Sequence, residues 1–297
     1  MLEQIRKIEE YAFWVRYASW AATLVAFILV LIKVYAWLVT DSSAMLASAT
    51  DSMLDLFASL SNVIILKFAL APADDEHKFG HGKMESLAGL VQAAFILGSA
   101  FLLFFHGIER LLITPKAIVH SEIGIWVTII AIVLTLVLVG FQRYVIHITG
   151  SVVIQADALH YQSDLLLNFG VLFAIILNQS GWLQADGIFT LMVSLFLMFG
   201  AFKIIWGSVY QLMDHELSDT ELAAITDIIL QHNRVLGVHE LRTRQAGQQR
   251  FIQFHLELDE RLSLLEAHSI GDRINKDITK VFAPCEVFIH HDPISTR

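Results

Sequence analysis

The sequence carries little charge for its length. Of its 297 residues, 16% are charged and 56% are hydrophobic, and the mean hydropathy is +0.60. Soluble domains carry about 25% charged residues, so this composition excludes an ordinary soluble protein. Charge is concentrated toward the C-terminus. This asymmetry predicts a membrane transport domain over residues 1–209 and a water-exposed domain over 210–297.

Cysteine and basic clusters are also scarce. The one cysteine, Cys285, excludes a disulfide framework and a cysteine-based zinc cluster. The net charge of −9 and the lack of a Lys/Arg cluster exclude nucleic acid as a partner. The first ten residues are polar, and no small-residue cleavage site follows them. We therefore expect no signal peptide and a first apolar segment that stays in the protein.

What the sequence does contain is a series of apolar segments long enough to cross a membrane, which takes about 20 residues. Polar breaks at 40–42, 72–85, 114–116, 143–151 and 178–181 separate them. Lys and Arg are more frequent on the side of the N-terminus, which predicts that both termini are cytoplasmic. The six predicted transmembrane helices cover roughly 13–39, 44–70, 86–113, 122–146, 152–178 and 183–207.

The C-terminal region has the pattern of a small α+β domain. Helix start signals occur at Ser218 with Glu221 and at Ser263 with Glu266, where each serine is followed three residues later by a glutamate. Alternating apolar residues predict strands over 238–245 and 250–259 and a short strand over 286–291. The order αββαβ predicts helices on one face of a three-stranded sheet, a ferredoxin-like or metallochaperone-like arrangement.

Two predicted membrane helices carry charged residues at their middle. Asp51 and Asp55 are four residues apart in the second helix, and His160 and Asp164 are four apart in the fifth. Residues at this spacing lie on one helical face. If the two faces meet, three carboxylates and one imidazole form a four-ligand set that suits Zn²⁺.

The alternative is that these are ordinary polar residues of a bundle interior. A carboxylate at the bilayer centre costs roughly 2.5–3.5 kcal/mol, and no basic residue is near them in sequence, so we favour the metal site. Asp157 has two interpretations: it attracts cations at the cytoplasmic entrance, or it occupies the first turn of its helix because of the helix dipole. Other polar residues that extend the same two faces are Ser48, Ser59, Asn62 and Asn168.

Histidines and acids form two further groups. Asp74, His77 and His81 lie in the polar loop and can hold a metal with a water as fourth ligand; the alternative is a solvated charged loop. In the C-terminal domain, histidines on separate elements can converge on two zinc ions bridged by a carboxylate, or they are surface residues. This second group consists of His239, His255, His268, His290 and Asp292.

Several stretches together resemble the cation diffusion facilitator family, and the resemblance covers nearly the whole chain. They are LASATDSMLD at 46–55, PADDEHKFGHGKMESLAGL at 72–90, DALHYQSD at 157–164 and the histidine-rich C-terminal domain. The resemblance implies a homodimeric metal/proton antiporter with a weaker metal site in the loop and a binuclear metal site in the cytoplasmic domain. The transport site that it implies consists of Asp51, Asp55, His160 and Asp164. The resemblance also implies a charge interlock between Lys83 and Asp214, and it leaves the role of His291 open.

From these observations we predict a secondary transporter, not an enzyme, that exports Zn²⁺ through a bacterial inner membrane in exchange for protons. Zn²⁺ is then both substrate and regulatory ligand, and lipid is the surrounding partner. The same donor set accommodates Cd²⁺, Fe²⁺ and Co²⁺. A membrane metalloprotease is excluded because no H-E-x-x-H pattern lies in a span. A metal-gated channel with a cytoplasmic sensor is the remaining alternative.

Overall fold

A computed structural model describes residues 2–41, 43–112, 122–179 and 184–295. The predicted breaks at 114–116 and around 180–181 lie outside these ranges, as do Lys116, His120 and Trp182. The described chain forms two compact units. The helical unit consists of Phe13–Pro72 and Met84–Val209, and the tail unit consists of Met1–Ala12, Ala73–Lys83 and Tyr210–Arg297. The tail unit thus includes two segments that the sequence analysis places in the membrane domain.

Six long helices run through the first two-thirds of the chain, which confirms the predicted helical architecture. By length and composition, α1–α4 and α6 are apolar enough to span a membrane in the part of the chain described. Helix α1 begins eleven residues before the first predicted span, because the polar N-terminal segment is helical as well. The helices are α1 Leu2–Thr40, α2 Ser43–Ala69, α3 Lys83–Leu112, α4 Glu122–Thr149, α5 Val152–Gln179 and α6 Ala185–Leu212.

Small residues line the contacts between these helices, and large apolar residues face outward. Ala18, Ala93 and Ala100 are fully buried, whereas Phe95 and Phe199 are 73% and 74% exposed. Small side chains let helix backbones approach closely where lipid replaces water outside. Outward-facing Phe and Leu side chains are stable only against an apolar surrounding. This distribution is that of a membrane bundle.

The C-terminal part has the predicted αββαβ order. Strands β1 and β2 pair antiparallel, β2 and β3 pair parallel, and the sheet order is β1-β2-β3. Both predicted capping boxes, Ser218 with Glu221 and Ser263 with Glu266, are present. The elements are α7 Asp219–Leu230, β1 Gly237–Ala246, β2 Gln249–Asp259, α8 Leu264–Phe282 and β3 Cys285–Ile294.

The core of this domain lies between the sheet and its two helices. Phe254 and Ile274 in this core are fully buried. Alternate residues of β2 point into it, so His255 and its alternate neighbours point to the opposite face of the sheet. The other face of the sheet is therefore available to hold polar groups.

Candidate metal centres

The helical unit brings three of the four predicted ligands together. The His160 Nε2 atom lies 2.9 Å from Asp55 Oδ1 and 3.6 Å from Asp164 Oδ2. One ligand atom from each of these residues lies within 4.8 Å of the others, and all three side chains are partly buried. The i, i+4 spacing in α5 places His160 and Asp164 on the face that meets α2. Two carboxylates and an imidazole at such distances match the donor types and separations of a zinc site.

Asp51 lies one helical turn before Asp55 on α2 and is more exposed. It is not in the group of three ligand atoms that lie within 4.8 Å. Its position on the same face of α2 follows from the four-residue spacing. The structure therefore shows a three-residue cluster with a fourth carboxylate adjacent to it along the helix.

A basic residue lies beside this cluster, contrary to the expectation from sequence. Lys33 Nζ on α1 donates a hydrogen bond to Ser52 Oγ on α2 at 2.7 Å, and its charge acts on the Asp164 carboxylate. The two are distant in sequence, so spacing rules within one helix do not reveal the contact. The sequence feature that could have indicated such a contact is Lys33 itself, because a charged residue in an apolar span is costly unless it has a partner.

Asp157 occupies a closed polar cluster and not an open entrance. It is 3% exposed, and it accepts hydrogen bonds from Asn62 Nδ2 at 3.0 Å and from Gln142 Nε2 at 2.6 Å. Gln92 on α3 also hydrogen-bonds its carboxylate. The Oε1 atoms of Gln92 and Gln142 are buried without a hydrogen-bond partner among the described residues. Asp157 thus joins α5 to three other helices.

Two further residues of the predicted polar faces, Ser59 and Asn168, are also paired with protein groups. Ser59 Oγ lies 2.9 Å from the Tyr161 hydroxyl, which donates to the Ala22 carbonyl oxygen at 3.3 Å. Asn168 donates to the Asp164 carbonyl oxygen within its own helix. These hydrogen bonds satisfy polar groups that would otherwise be costly to bury. The two hydrogen bonds of Tyr161 also hold α1, α2 and α5 together beside the ligand cluster.

Replacing Asp157 by alanine is expected to destabilise the helical unit. The substitution leaves the buried amide donors of Asn62 and Gln142 unpaired, at a cost of roughly 1–3 kcal/mol. The measurement is the thermal unfolding midpoint of the detergent-solubilised chain. Gln155→Ala on the same helix is the control, because the Gln155 side chain donates an exposed hydrogen bond to the Gly150 carbonyl oxygen. Equal midpoints for the two variants would contradict the assigned role.

The loop group is brought together in the tail unit. Asp74 Oδ1 lies 3.3 Å from His77 Nδ1, and Asp74 Oδ2 lies 3.5 Å from His81 Nε2. The backbone N–H of His77 donates to the Asp74 carboxylate and lowers its pKa. A carboxylate held in its charged form between two imidazoles has the donors for a divalent cation. The three residues form one compact group.

The sheet places three of the four predicted histidine ligands of this domain around Asp292, the fifth predicted ligand. Asp292 Oδ2 lies 2.9 Å from His255 Nδ1 and 3.3 Å from His239 Nε2, and Asp292 Oδ1 lies 3.2 Å from His290 Nε2. Strand register explains this, because His255 pairs with both His239 and His290 across the sheet. The hydrogen bond from His255 lowers the pKa of Asp292. One carboxylate oxygen thus faces His255 and His239, and the other faces His290.

Two further histidines that the sequence analysis considered for this site, His268 and His291, lie elsewhere. His268 is on α8 and is not in the group formed by His239, His255 and Asp292. His291 alternates with His290 along β3, and its Nε2 lies beside Gly271 of α8. Burial, together with nearby His268 and His290, lowers the pKa of His291. His291 therefore faces the helices and not Asp292.

Glu257 is a neighbour of the cytoplasmic group that sequence reasoning missed. Its Oε1 atom lies 3.1 Å from His239 Nδ1. The pairing register shifts between His239 and Arg242, and Glu240 in this bulge has a positive φ of 49°. Bulges re-aim the side chains beside them. The position of His239 therefore depends on an irregularity that alternation along the strand does not reveal.

The predicted Lys83–Asp214 ion pair is formed within the tail unit. Lys83 Nζ lies 2.9 Å from Asp214 Oδ1, and Arg244 Nη1 lies 3.5 Å from the same oxygen. Burial raises the pKa of Asp214, but the hydrogen bond and charge of Lys83 outweigh this effect, so the pKa is lowered overall. The Arg244 guanidinium also stacks over Phe79 and Phe251. The pair is thus supported by an aromatic contact between the loop and the sheet.

Comparison with known proteins agrees with this architecture. The family description "Cation efflux transmembrane domain" matches residues 19–213, and "Cation efflux protein, cytoplasmic domain" matches 217–294. The cation-efflux pump FieF of Shewanella oneidensis is 48% identical over 288 residues, covering 97% of each chain. FieF of Escherichia coli (strain K12 / DH10B) is 43% identical over 287 residues, covering 97% of this chain and 95% of that one.

A solved structure of CzrB in its zinc form covers 28% of this chain and 97% of its own, with 30% identity and a TM-score of 0.27. The helical bundle and the αββαβ domain define a multi-pass membrane transporter of metal cations. The chain belongs to the cation efflux, or cation diffusion facilitator, family.

Proposed function

We propose that this protein exports Zn²⁺ from the bacterial cytoplasm in exchange for protons, with Asp51, Asp55, His160 and Asp164 as the transport site. The observation that carries the proposal is the position of His160 Nε2. This atom lies within reach of two carboxylates, at 2.9 Å from Asp55 and 3.6 Å from Asp164. It is both a zinc ligand and the site of a proton on the imidazolium. A metal ion and a proton therefore compete for the same nitrogen.

Because zinc and a proton compete for His160 Nε2, each displaces the other, and we infer that they move in opposite directions in an alternating-access cycle. Zn²⁺ entering from the cytoplasm sheds water and displaces the proton from His160. The bundle then opens outward, where protons rebind the imidazole and the carboxylates and release the metal. Asp51 completes the ligand set by joining the three clustered residues when metal is bound.

An imposed pH gradient tests this exchange. In proteoliposomes that contain the purified chain, an outward-directed proton gradient is expected to increase Zn²⁺ uptake several-fold over symmetric pH, with measurable proton efflux. The measurements are a trapped zinc-sensitive dye and a trapped pH dye. Fast zinc flux that ignores the gradient would indicate the metal-gated channel instead. Parallel runs with Cd²⁺ and Fe²⁺ establish the metal preference.

The other two groups support a regulatory role in this proposal. The loop group of Asp74, His77 and His81 binds a metal more weakly because its side chains are largely exposed. The group around Asp292 holds two ions that stabilise the cytoplasmic domain and a homodimer in the bacterial inner membrane, with both termini cytoplasmic. Metal binding to a folded site adds to folding stability, so the tail responds to cytoplasmic zinc.

Zinc is expected to raise the thermal unfolding midpoint of the tail. Saturation at about 100 times Kd stabilises by about 2.7 kcal/mol, which corresponds to about 10 °C or more for a domain of this size. The measurement is hydrogen exchange of residues 217–294 in the full chain during heating, with and without a chelator. Asp292→Ala should remove the shift, and Glu286→Ala on the same strand should keep it. A shift that persists in Asp292→Ala would disprove the bridging role.

A further inference from the structure

Lys33 is a charged residue of the helical unit that the proposed cycle does not use. It lies on the same face of α1 as Val30 and Ala36, which are 7% and 0% exposed, so this face packs inside the bundle. Its Nζ atom donates to Ser52 Oγ at 2.7 Å, and Ser52 is 1% exposed. The ammonium group of this partly buried side chain is therefore held by a hydrogen bond to a buried serine.

The hydrogen bond to Ser52 places Lys33 beside the helix that carries Asp55. Ser52 precedes Asp55 by three residues on α2, so the two lie on neighbouring positions of one face. The charge of Lys33 also acts on the carboxylate of Asp164 on α5. A lysine in a membrane span is as costly as a carboxylate unless it is paired. Here the hydrogen bond to Ser52 places the ammonium group next to the helix turn that carries Asp55, whose opposite charge offsets part of that cost.

We propose that Lys33 is the resident counter-ion of the metal-free site and sets its affinity for divalent cations. The inference rests on the proposed function of Asp55, His160 and Asp164 as metal ligands. Without metal, the fixed positive charge stabilises the unloaded carboxylates. With metal, the same charge repels a divalent ion and favours its release. Lys33 is thus a positioning and affinity-setting residue that touches no metal itself.

The expected effect follows from Coulomb's law. A unit charge within several ångströms of a divalent ion, at an effective dielectric constant of about 20, changes ion affinity by roughly tenfold or more. Removing the charge should therefore tighten metal binding. A purely structural role predicts the opposite, because loss of the Ser52 hydrogen bond would loosen the helices around the ligands.

The experiment compares charge-removing and charge-keeping variants in the full chain. All variants also carry His77→Ala and His255→Ala, which remove one ligand from the loop group and one from the group around Asp292. Zinc binding in this background chain then reports on the cluster of Asp55, His160 and Asp164. Zn²⁺ affinity is measured by competition with a fluorescent chelator for Lys33→Gln, Lys33→Met and Lys33→Arg. Lys203→Gln on α6 is the matched control, since Lys203 is an exposed lysine of another helix. Both neutral variants should insert, because an uncharged side chain is cheaper in a membrane.

Lys33→Gln and Lys33→Met are expected to bind Zn²⁺ roughly tenfold more tightly. Lys33→Arg and Lys203→Gln should bind as the background chain does. In transport assays the two neutral variants should show a lower half-saturating zinc concentration and a lower maximal rate, because release becomes slower. Unchanged or weaker binding in both neutral variants would overturn the proposal.

A His160→Ala variant in the same background separates this result from failure of the proposed function. If His160→Ala leaves zinc affinity unchanged, the cluster is not the metal site and the proposed function itself is wrong. If His160→Ala abolishes binding while Lys33→Gln matches the background, only the role of Lys33 is wrong.

Discussion

Replacing His160 by alanine is expected to reduce proton-driven zinc flux by at least about 100-fold. Altering even the hydrogen-bond partners of metal ligands costs 10–100-fold in affinity or activity, and loss of a ligand costs at least as much. His160 supplies the nitrogen that faces both Asp55 and Asp164, at 2.9 and 3.6 Å. Without it, two carboxylates remain close together with no nitrogen donor between them. The measurement is initial zinc uptake into proteoliposomes at a fixed pH gradient.

His147→Ala is the matched control for this prediction. His147 is an exposed histidine in the last turn of α4, outside the ligand group. Its replacement should leave flux within about twofold of the unaltered protein, as is usual for a surface position. Flux in His160→Ala equal to that in His147→Ala would exclude the site.

Asp51 and Asp55 are compared in the same assay. Asp55 contacts His160 directly, whereas Asp51 lies a turn away and is more exposed. If Asp51 joins the ligands when metal is bound, Asp51→Ala should lower flux as strongly as Asp55→Ala. Near-normal flux in Asp51→Ala would limit the site to the three clustered residues and a water.

Phe254→Ala is expected to destabilise the C-terminal domain by about 3–5 kcal/mol. Phe254 lies on β2 with no exposed surface, within the core formed by the sheet and its two helices. Truncating a buried phenylalanine removes apolar contacts and leaves a cavity, which has this typical cost. Amide exchange of β1, β2 and β3 in the full chain should accelerate by roughly 100-fold to 1,000-fold or more, as each 1.4 kcal/mol is a factor of ten.

Phe288→Ala is the control, because Phe288 lies on β3 and is 43% exposed. Phe288→Ala should destabilise the domain by well under half as much as Phe254→Ala, since less apolar surface returns to water. Comparable acceleration of exchange in both variants would contradict the assignment of the core to the helix-covered face. Zinc flux in Phe254→Ala then reports how far transport depends on an intact cytoplasmic domain.

The sequence alone determined the elements of this fold. Long apolar segments with few charges can be stable only as membrane helices, and serine–glutamate pairs fix where α7 and α8 begin. The candidate metal-binding pairs on α2 and α5 were likewise visible, because residues four apart share a helical face and an unpaired carboxylate is costly in a membrane. These are local or compositional effects, so they are encoded within one segment.

Contacts between segments were decided only by the tertiary structure. The Lys33 hydrogen bond to Ser52 and the amide cluster around Asp157 join helices that sequence spacing does not relate. The same holds for His291, which faces α8, and for Asp51, which lies beside the clustered ligands and not among them. Helix rotation, strand register and the bulge at Glu240 fix these neighbours, and they depend on packing of the whole bundle and sheet.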